Sequence, residues 1–379
     1  MPWQEVSTMS LRQEFVMLAT AEGANVRELC RRYTISPKTG YKWLGRYRRA
    51  GPEGVADRSR RPHRSPTRTP FAIERAVLAV RVAHPAWGGR KIRAVLRARG
   101  HQTLPSPSTM TAILRRHGQI APEAGRKHTA WRRFEHDAPN RLWQMDFKGH
   151  FALLHGRCHP LTVLDDHSRF AVGLQACGDE TGRTVQARLT ACFRRYGLPE
   201  AMLMDNGSPW GSDVAHPHTP LTAWLLRLGI RVCHARPYHP QTQGKDERFH
   251  RTLKAEVLGT RVLPDLATCQ REFDRWRAVY NLDRPHEALG LAVPASRYRA
   301  SPRVFPEVLP PIEYGPDDIV RKVVVGGELS YRNRPFKVGR AFCGYPVALR
   351  PTQTDGLLDV FFCHHRVAQI NLRAHADVE

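Results

Sequence analysis

The sequence predicts a multidomain protein with helical modules in its amino-terminal part, a mixed α/β core, and a small β-barrel near its carboxyl terminus. Three patterns predict this class. Apolar residues recur at helical spacing over residues 8–50 and 71–118, strands and then alternating strands and helices fill the middle, and short β-like runs with glycine turns follow Ile319. The 379 residues allow two or three domains with a sizeable core.

The expected domain boundaries follow the changes in pattern. They are 1–57 for a helix-turn-helix domain, 58–70 for a basic linker, 71–120 for a second helix-turn-helix-like domain, 136–300 for the core, and 318–373 for an SH3-like barrel. The linker is rich in Pro and Arg and cannot pack a core of its own.

The chain carries a large excess of positive charge. Lys and Arg total 59 against 35 Asp and Glu, which gives a formal net charge of +24. A surplus of this size favours a polyanionic partner, and nucleic acid is the usual one. The alternative is a protein that is basic because of its proteome, or a ribosomal passenger.

The eight cysteines include no Cys-x-x-Cys pair, so the sequence predicts neither a disulfide framework nor a zinc site. We find no signal peptide pattern and no apolar run near the length of a membrane span. We therefore expect a reduced, cytoplasmic compartment and no membrane partner.

Residues 8–50 have the spacing of a helix-turn-helix, with Ser36 placed to cap the last helix. That helix presents side chains of the types that reach phosphates and base edges in a major groove. These are Lys38, Thr39, Lys42 and Arg46. A plain helical hairpin is the alternative. In the linker that follows, Arg58, Arg60 and Arg61 are candidates to enter a minor groove.

Residues 71–118 contain three further helical patterns, the last beginning with a Ser cap and an early Pro. We expect their exposed cations to form a second DNA-binding surface. These cations are Arg90, Lys91, Arg93, Arg115 and Arg116. Two linked modules read a longer site than either module alone, because linkage raises the effective concentration.

The core begins near Asn140 with three strand patterns joined by short turns, which predicts an antiparallel meander. A helix ending at Gly197, a strand ending in Asp205, a further helix and a further strand follow. This order predicts a mixed sheet with helices on both faces.

Three carboxylates stand out in this core. Asp146 lies inside an apolar strand, where an ionised carboxylate is costly unless it is paired or bound to a metal. Asp205 ends the strand AMLM, and Glu247 lies in the first turn of the helix GKDERFHRTLKAEVL. Other acids fit less well. We expect Asp165 and Asp166 to form a turn with a local ion pair beside Ser168 and Arg169, and Asp246 to point about 100 degrees away from Glu247.

The helix that carries Glu247 also carries several cations. Arg251 and Lys254 follow Glu247 by four and seven residues and share its face. On an ordinary surface helix such a row is a solvated salt-bridge ladder. With the neighbouring carboxylates, we expect DNA contacts from four residues. These are Lys245, Arg248, Arg251 and Lys254.

The later part of the chain predicts a helix over residues 266–281 whose Phe273, Trp276 and Tyr280 pack into the core. A proline-rich linker follows it. From Ile319 to Leu372, five β-like runs predict a small five-stranded barrel.

Three motifs together resemble a known family: WQMDF around Asp146, MDNGSPW around Asp205, and HPQTQGKDERFHRTLK around Glu247. The family is the DDE transposases and integrases, which includes bacterial insertion-sequence transposases with the catalytic core of retroviral integrases. The third motif is the most specific. The resemblance covers most of the chain, since helix-turn-helix patterns precede the core and an integrase-type segment follows it.

The resemblance implies a ribonuclease-H-like core and a catalytic triad of Asp146, Asp205 and Glu247. Oxygen donors without Cys or His suit Mg2+ first and Mn2+ second. Two such ions about 4 Å apart activate a water or a 3'-hydroxyl for in-line displacement at phosphorus. The expected activity is therefore metal-dependent cleavage and strand transfer at the ends of a mobile element.

The expected partners are double-stranded DNA, both element ends and target, and further copies of the chain, as a dimer or tetramer on DNA. The expected location is the bacterial nucleoid. The sequence leaves two alternatives open. One is a helix-turn-helix regulator whose core has lost catalysis, and the other is a structure-selective nuclease on the same fold, which cuts DNA without joining it.

Overall fold

The computed structural model describes residues 7–59, 68–120, 135–211, 217–234, 244–259 and 262–373. The chain divides into two compact units, Met1–Arg68 and Thr69–Glu379. Some predicted features fall outside the described residues. These are Arg60 and Arg61 of the basic linker and the segment 235–243, which precedes the helix bearing Glu247.

The first unit contains the predicted helix-turn-helix. Its helices are α1 (Thr8–Thr20), α2 (Val26–Arg32) and α3 (Pro37–Ala50), followed by a short 3-10 turn over Gly51–Val55. Ser36 caps α3 by accepting a hydrogen bond from the backbone N–H of Thr39 at 3.2 Å. A β-carbon on Gly40 would lie 2.3 Å from Cys30 Sγ, so only glycine lets α2 and α3 pack this closely.

The second unit opens with the second helical module, also as predicted. Its helices are α4 (Phe71–Ala83), α5 (Gly89–Ala98) and α6 (Pro107–Arg116). Val77, Trp87, Ile92 and Met110 are fully buried at its centre. Val279 packs against this cluster from a helix of the core, so the module lies directly on the core.

The core sheet is mixed, as the order of its elements predicts. Its strands are β1 (Trp143–Phe147), β2 (Phe151–Ala152), β3 (Arg157–Asp165), β4 (Ala171–Cys177), β5 (Ala201–Met204) and β6 (Arg231–His234). The order is β2-β3-β1-β5-β6, with β4 also paired to β3. The β1–β3 and β3–β4 pairs are antiparallel, whereas β1–β5 and β5–β6 are parallel.

Helices cover both faces of this sheet. They are α7 (Gly182–Tyr196), α8 (Pro220–Arg227), α9 (Gly244–Leu253) and α10 (Leu266–Leu282). One apolar cluster joins Trp143 and Met145 of β1 to α7 and α8. A second cluster joins the opposite face to α9 and α10, and it includes the predicted core residues Phe273, Trp276 and Tyr280. Because side chains alternate along β1, Gln144 and Asp146 face the α9 side.

The carboxyl-terminal region is a sheet domain rather than the closed five-stranded barrel that the pattern predicts. Its strands are β7 (Ile319–Lys322), β8 (Glu328–Tyr331), β9 (Arg334–Lys337), β10 (Pro346–Pro351), β11 (Leu357–Phe362) and β12 (His365–Asn371). Among the described residues, four strands form an open antiparallel sheet in the order β12-β11-β10-β7, and β8 and β9 form a separate hairpin.

The extra strand arises at a tight turn. Arg332 and Asn333 have φ values of 51° and 59°, so the predicted single run ELSYRNRPFKV folds back on itself after Tyr331. Two successive residues with positive φ form a turn that matches the twist of a hairpin, and Asn tolerates that conformation better than most residues. Leu329 and Phe336 of the hairpin share an apolar core with the four-stranded sheet.

None of the helices that the structure describes has the length and apolarity needed to cross a bilayer.

Candidate active site

The first two acids of the predicted triad lie side by side at one edge of the core sheet. Trp143 pairs with Met202 and Gln144 with Leu203 in parallel register. Extending this register by two residues (144 + 2 and 203 + 2) brings Asp146 beside Asp205. Carboxyl ends of neighbouring parallel strands share an edge, which explains why residues 59 positions apart (205 − 146) meet here.

The electrostatics of Asp146 agree with this proximity. Its side chain is only 22% exposed. Burial is the main cause that raises the pKa of Asp146 to about 7, and the negative charge of Asp205 is the second, with smaller contributions from Glu180 and Glu247. The sheet edge therefore gathers negative charge around a half-buried carboxyl group.

The loop after β5 holds Asp205 in place. A carboxylate oxygen of Asp205 accepts a hydrogen bond from the backbone N–H of Gly207 at 3.0 Å. Its carbonyl oxygen accepts one from Nδ1 of His234 at 2.8 Å, and this bond ties the loop to β6. Trp210 is buried and stacks on Phe147 of β1 with ring centroids 5.5 Å apart. The MDNGSPW motif is thus anchored beside Asp146.

Helix α9 presents one stripe of exposed charge and one buried stripe. Glu247, Arg248, Arg251 and Lys254 are exposed. Within the ranges that the structure describes, the charged groups of Arg248, Arg251 and Lys254 form no hydrogen bond or ion pair with another side chain. Phe249 and Leu253 are buried under the sheet and fix the orientation of the helix.

The buried stripe contains polar groups that the motif alone does not indicate. His250 Nε2 lies 2.9 Å from the hydroxyl of Thr162, and its Nδ1 lies 3.9 Å from Asp146 Oδ2. Burial lowers the pKa of His250 to about 4, so the ring is neutral at physiological pH. Asp246 is fully buried, and its two oxygens have no hydrogen-bond partner among the described residues.

The pKa of Asp246 is held well above its usual range, first by burial and then by the negative charges of Asp146 and Asp166. The sequence predicts that Asp246 points away from Glu247, and it does, but toward the sheet rather than toward solvent. The helix period carried this signal, because Asp246 and His250 share one face of the helix with the apolar Phe249 and Leu253.

Lys245 also faces inward, although its ammonium group was expected to contact DNA. Its side chain is 18% exposed and forms an ion pair with Asp166, whose side chain is completely buried. Asp165 and Asp166 therefore play different parts. Asp165 closes the turn by accepting hydrogen bonds from Ser168, as expected, whereas Arg169 pairs with Glu135 at 2.9 Å.

Two further charged residues lie near the site and were not predicted from the sequence. Lys148 follows β1 directly, and its pKa is lowered first by burial and then by the positive charge of Lys254. The positive charge of Lys148 also helps to lower the pKa of His250. Glu180, which follows β4, pairs with His159 Nδ1 at 2.8 Å. The position of Lys148 two residues after Asp146 was the available signal.

The chemistry of these donors fits a hard divalent cation. Asp146, Asp205 and Glu247 offer oxygen ligands only, and the charges of the other two acids help to raise the pKa of Asp146. Across the described ranges, no three His, Cys, Asp or Glu side chains are already arranged as ligands around one point. The donor set fits such an ion, but the side chains are not gathered into a finished site.

In the first unit, the predicted recognition helix carries a cluster of cations around one ring. Lys38 and Lys42 are exposed, and Thr39 contacts the Ser36 cap. The ring of Trp43 has three cationic groups over it, at distances of 4.1 Å for Arg12, 4.5 Å for Lys42 and 4.9 Å for Arg46. Stacking on Trp43 holds these side chains at the surface of α3.

In the second module, the predicted cations divide into two groups. Arg90 and Arg115 are exposed. Lys91 is half-buried, and its pKa is lowered to about 8, first by burial and then by the charge of Arg284. Arg93 donates to the carbonyl oxygen of Pro105 at 3.0 Å, and Arg116 pairs with the buried Glu74 at 2.6 Å; both therefore hold the module together.

Comparison with known families gives matches along most of the chain. Residues 136–240 and 228–294 match two models described as integrase core domain. Residues 11–63 match a helix-turn-helix domain, and residues 39–114 match a homeodomain-like domain. Residues 318–377 match the C-terminal domain of the IS481 family transposases.

Two curated relatives are insertion-element proteins. The chain is 30% identical over 179 residues to the insertion element IS407 uncharacterized 31.7 kDa protein of Burkholderia multivorans. It is 31% identical over 159 residues to the insertion element IS476 uncharacterized 39.2 kDa protein of Xanthomonas euvesicatoria. These stretches cover 45% and 41% of this chain, and 62% and 44% of the relatives. The chain thus spans less than two thirds of either relative.

Solved structures show a remote similarity. The simian T-cell lymphotropic virus intasome in complex with PP2A regulatory subunit B56 gamma aligns at a TM-score of 0.40 with 16% identity, over 78% of this chain and 96% of that chain. The catalytic core domain of BIV integrase aligns at a TM-score of 0.32 with 24% identity, over 41% of this chain and 92% of that chain.

Proposed function

We propose that this member of the transposase and integrase family, with its integrase core and helix-turn-helix domains, cleaves the ends of a mobile element and joins them to target DNA. One observation carries the proposal. Asp146 and Asp205 share one sheet edge, and Glu247 on α9 is close enough for its charge to raise the pKa of Asp146. A protein that only binds DNA has no need of these three acids.

We assign Asp146, Asp205 and Glu247 as the ligands of Mg2+, or of Mn2+ in its place, with two ions. When bound, the ions supply activation of a water or 3'-hydroxyl and stabilisation of the leaving oxygen. The charge accumulated at the sheet edge supports this assignment, because a cation there relieves the repulsion between Asp146 and Asp205.

The protein's own cations hold the substrate beside these acids. Arg248 and Arg251 on α9 and Lys254 directly after it are exposed, as Glu247 is, and they have no acidic partner in the described part of the chain. Lys148 follows Asp146 by two residues and is close enough to Lys254 for the two positive charges to interact. These groups are suited to bind phosphates of the substrate.

The helical modules supply recognition in this proposal. Lys38, Thr39, Lys42 and Arg46 of α3 read the element end in the major groove, with the linker residues Arg58, Arg60 and Arg61 along the minor groove. Arg90, Lys91 and Arg115 of the second module add phosphate contacts. Among the predicted DNA contacts, Lys245 has the least support, because its ammonium group is paired with Asp166.

The carboxyl-terminal sheet domain is assigned to DNA or subunit contacts. Transposition joins two ends at one target, so we expect a dimer or tetramer to assemble on DNA. Size measurement of the complex with paired element ends tests this directly.

One assay tests the activity. Purified chain is incubated with Mg2+, labelled element ends and a target plasmid, and the products are separated on a gel. Labelled plasmid is the expected result. Cut but unjoined ends would instead indicate a structure-selective nuclease, and bound but intact ends would indicate a regulator; either outcome overturns the proposal.

A further inference from the structure

Asp166 is a buried carboxylate that receives donors from three separate segments of the core. Lys245 Nζ at the start of α9 pairs with its Oδ1 and also lies 3.3 Å from its carbonyl oxygen. Gln144 Nε2 of β1 donates to the same Oδ1 at 2.7 Å. The backbone N–H of His136 donates to Oδ2 at 2.9 Å. Both oxygens thus accept hydrogen bonds although the side chain is shielded from solvent.

Two of these donors lie next to members of the triad. Gln144 precedes Asp146 by two residues on β1, so the two side chains share one face of the strand. Lys245 precedes Glu247 by two residues on α9, which places the two side chains on opposite sides of the helix. One carboxylate therefore connects the backbone beside Asp146 to the backbone beside Glu247.

This connection differs from the ordinary role of an acid in a turn. Asp165 already has that role, because its oxygens accept from the backbone N–H groups of Asn140 at 2.7 Å and of Ser168 at 2.8 Å. Among the described residues, the carboxylate of Asp166 accepts no hydrogen bond from another residue of the turn. Its partner Lys245 is 79 residues away in sequence, so the pair fixes the packing of two elements.

We propose that Asp166 and Lys245 are positioning residues, whose ion pair sets the first turn of α9 against β1 and thereby holds Glu247 near Asp146 and Asp205. This inference rests on the proposed function for the role of Glu247. A buried ion pair is a specific connection, since it is satisfied in one arrangement and leaves an isolated charge in any other. Phe249 and Leu253 hold the later turns of α9 by apolar packing, which is not directional.

The test uses the full chain with three variants: Asp166→Asn/Lys245→Met, Lys245→Met alone, and Lys245→Arg. The double variant removes both charges and leaves neither buried alone. The matched control is Arg194→Met/Glu307→Gln, which removes an exposed ion pair of 2.7 Å on another surface. Amide hydrogen exchange over residues 244–258, Mg2+ affinity by calorimetry, and DNA affinity at several salt concentrations are measured for each.

We expect the double variant to exchange faster over residues 244–258 and to bind Mg2+ about tenfold more weakly, the lower range for residues that orient metal ligands. Lys245→Arg keeps the pair and should retain most of the affinity for Mg2+. The salt dependence of DNA binding should stay unchanged in the double variant. If the double variant does not fold, Asp166→Glu replaces it, because the longer side chain displaces α9 without removing a charge and should weaken Mg2+ binding similarly.

Exchange rates and Mg2+ affinity equal to those of the control would overturn the inference. So would a flatter salt dependence in Lys245→Met and in the double variant, because Lys245 would then contact DNA directly. The proposed function fails separately: a wild-type chain that neither binds Mg2+ nor joins DNA ends refutes that proposal, whereas the exchange data still decide whether the ion pair positions α9.

Discussion

The two faces of helix α9 differ in solvent exposure and in what they contact, although they belong to the same ten residues. The outer face carries Glu247, Arg248 and Arg251, all of them exposed. The inner face carries Asp246, Phe249 and His250, which contact the sheet and are shielded from solvent. The packing of the inner face sets the position of the outer face. The geometry of the proposed metal site therefore depends on residues that are not proposed as ligands.

The largest effect should come from the outer face. Glu247→Gln removes one proposed metal ligand, and the loss of several kcal/mol of transition-state stabilisation lowers strand transfer by about a thousandfold. The free energy of unfolding should change by less than about 0.5 kcal/mol, because the side chain is exposed. Rates of joined product and urea unfolding are the two measurements.

Glu313→Gln is the matched control, since Glu313 is an acid outside the site. Equal activity of the two variants would remove Glu247 from the triad.

The inner face should show the reverse pattern. Phe249 is 1% exposed and packs against Trp276 and Tyr280. Phe249→Ala should lower the free energy of unfolding by about 3–5 kcal/mol, through the apolar burial it removes and the cavity that remains. Arg251→Ala, on the outer face, should change it by less than about 0.5 kcal/mol. Similar destabilisation in both variants would contradict the division of the helix into two faces.

The titration of the two acids that meet between α9 and β1 sharpens the comparison. The pKa of Asp146 is raised to about 7 and that of Asp246 is raised well above its usual range. The folded chain therefore holds these protons more tightly than the unfolded chain, and the metal-free protein loses stability as pH rises from about 4 to about 7. For Asp146 this decrease is at most about 4 kcal/mol.

Asp146→Asn should reduce this pH dependence of urea unfolding, and Asp146→Asn/Asp246→Asn should reduce it further. The difference between wild type and each variant isolates the acid concerned from other titrating groups. An unchanged slope in Asp146→Asn would show that this acid is solvated rather than buried against α9.

The smallest effect concerns the cations of the outer face. Replacing Arg251 and Lys254 by Gln should weaken DNA binding and lower the slope of log affinity against log salt by about 0.9 for each phosphate that the variant no longer neutralises. Stability should remain the same, because both side chains are exposed. Binding curves at three or more salt concentrations measure the slope. A double variant with the wild-type slope would show that neither side chain neutralises a DNA phosphate.

Much of this arrangement could be predicted from local pattern. The period of apolar residues and the caps at Ser36 and Ser106 located the helices of both modules. The apolar run around Asp146 placed this acid inside a strand, and the Asn-Gly after Asp205 placed that acid at a strand end. These signals are read within a few residues of the chain, where hydrogen-bonding geometry and side-chain period act directly.

The rest depends on contacts between distant segments. The expected turn at Asp165 was correct, but nothing local to Asp166 indicates that Lys245 is its partner, because the two lie 79 residues apart. The carboxyl-terminal strands were located, yet their pairing into an open sheet and a hairpin depends on the turn at Arg332 and Asn333. Positive φ at Arg is uncommon, so the usual turn signals did not mark it.

The most direct test of the central claim is to locate Mn2+ by anomalous diffraction in crystals of the protein bound to its element end. We predict a peak within coordination distance, about 2.0–2.6 Å, of carboxylate oxygens from Asp146, Asp205 and Glu247. Mn2+ bound at other residues, or a peak at Asp146 and Asp205 with Glu247 turned away from it, would contradict the account.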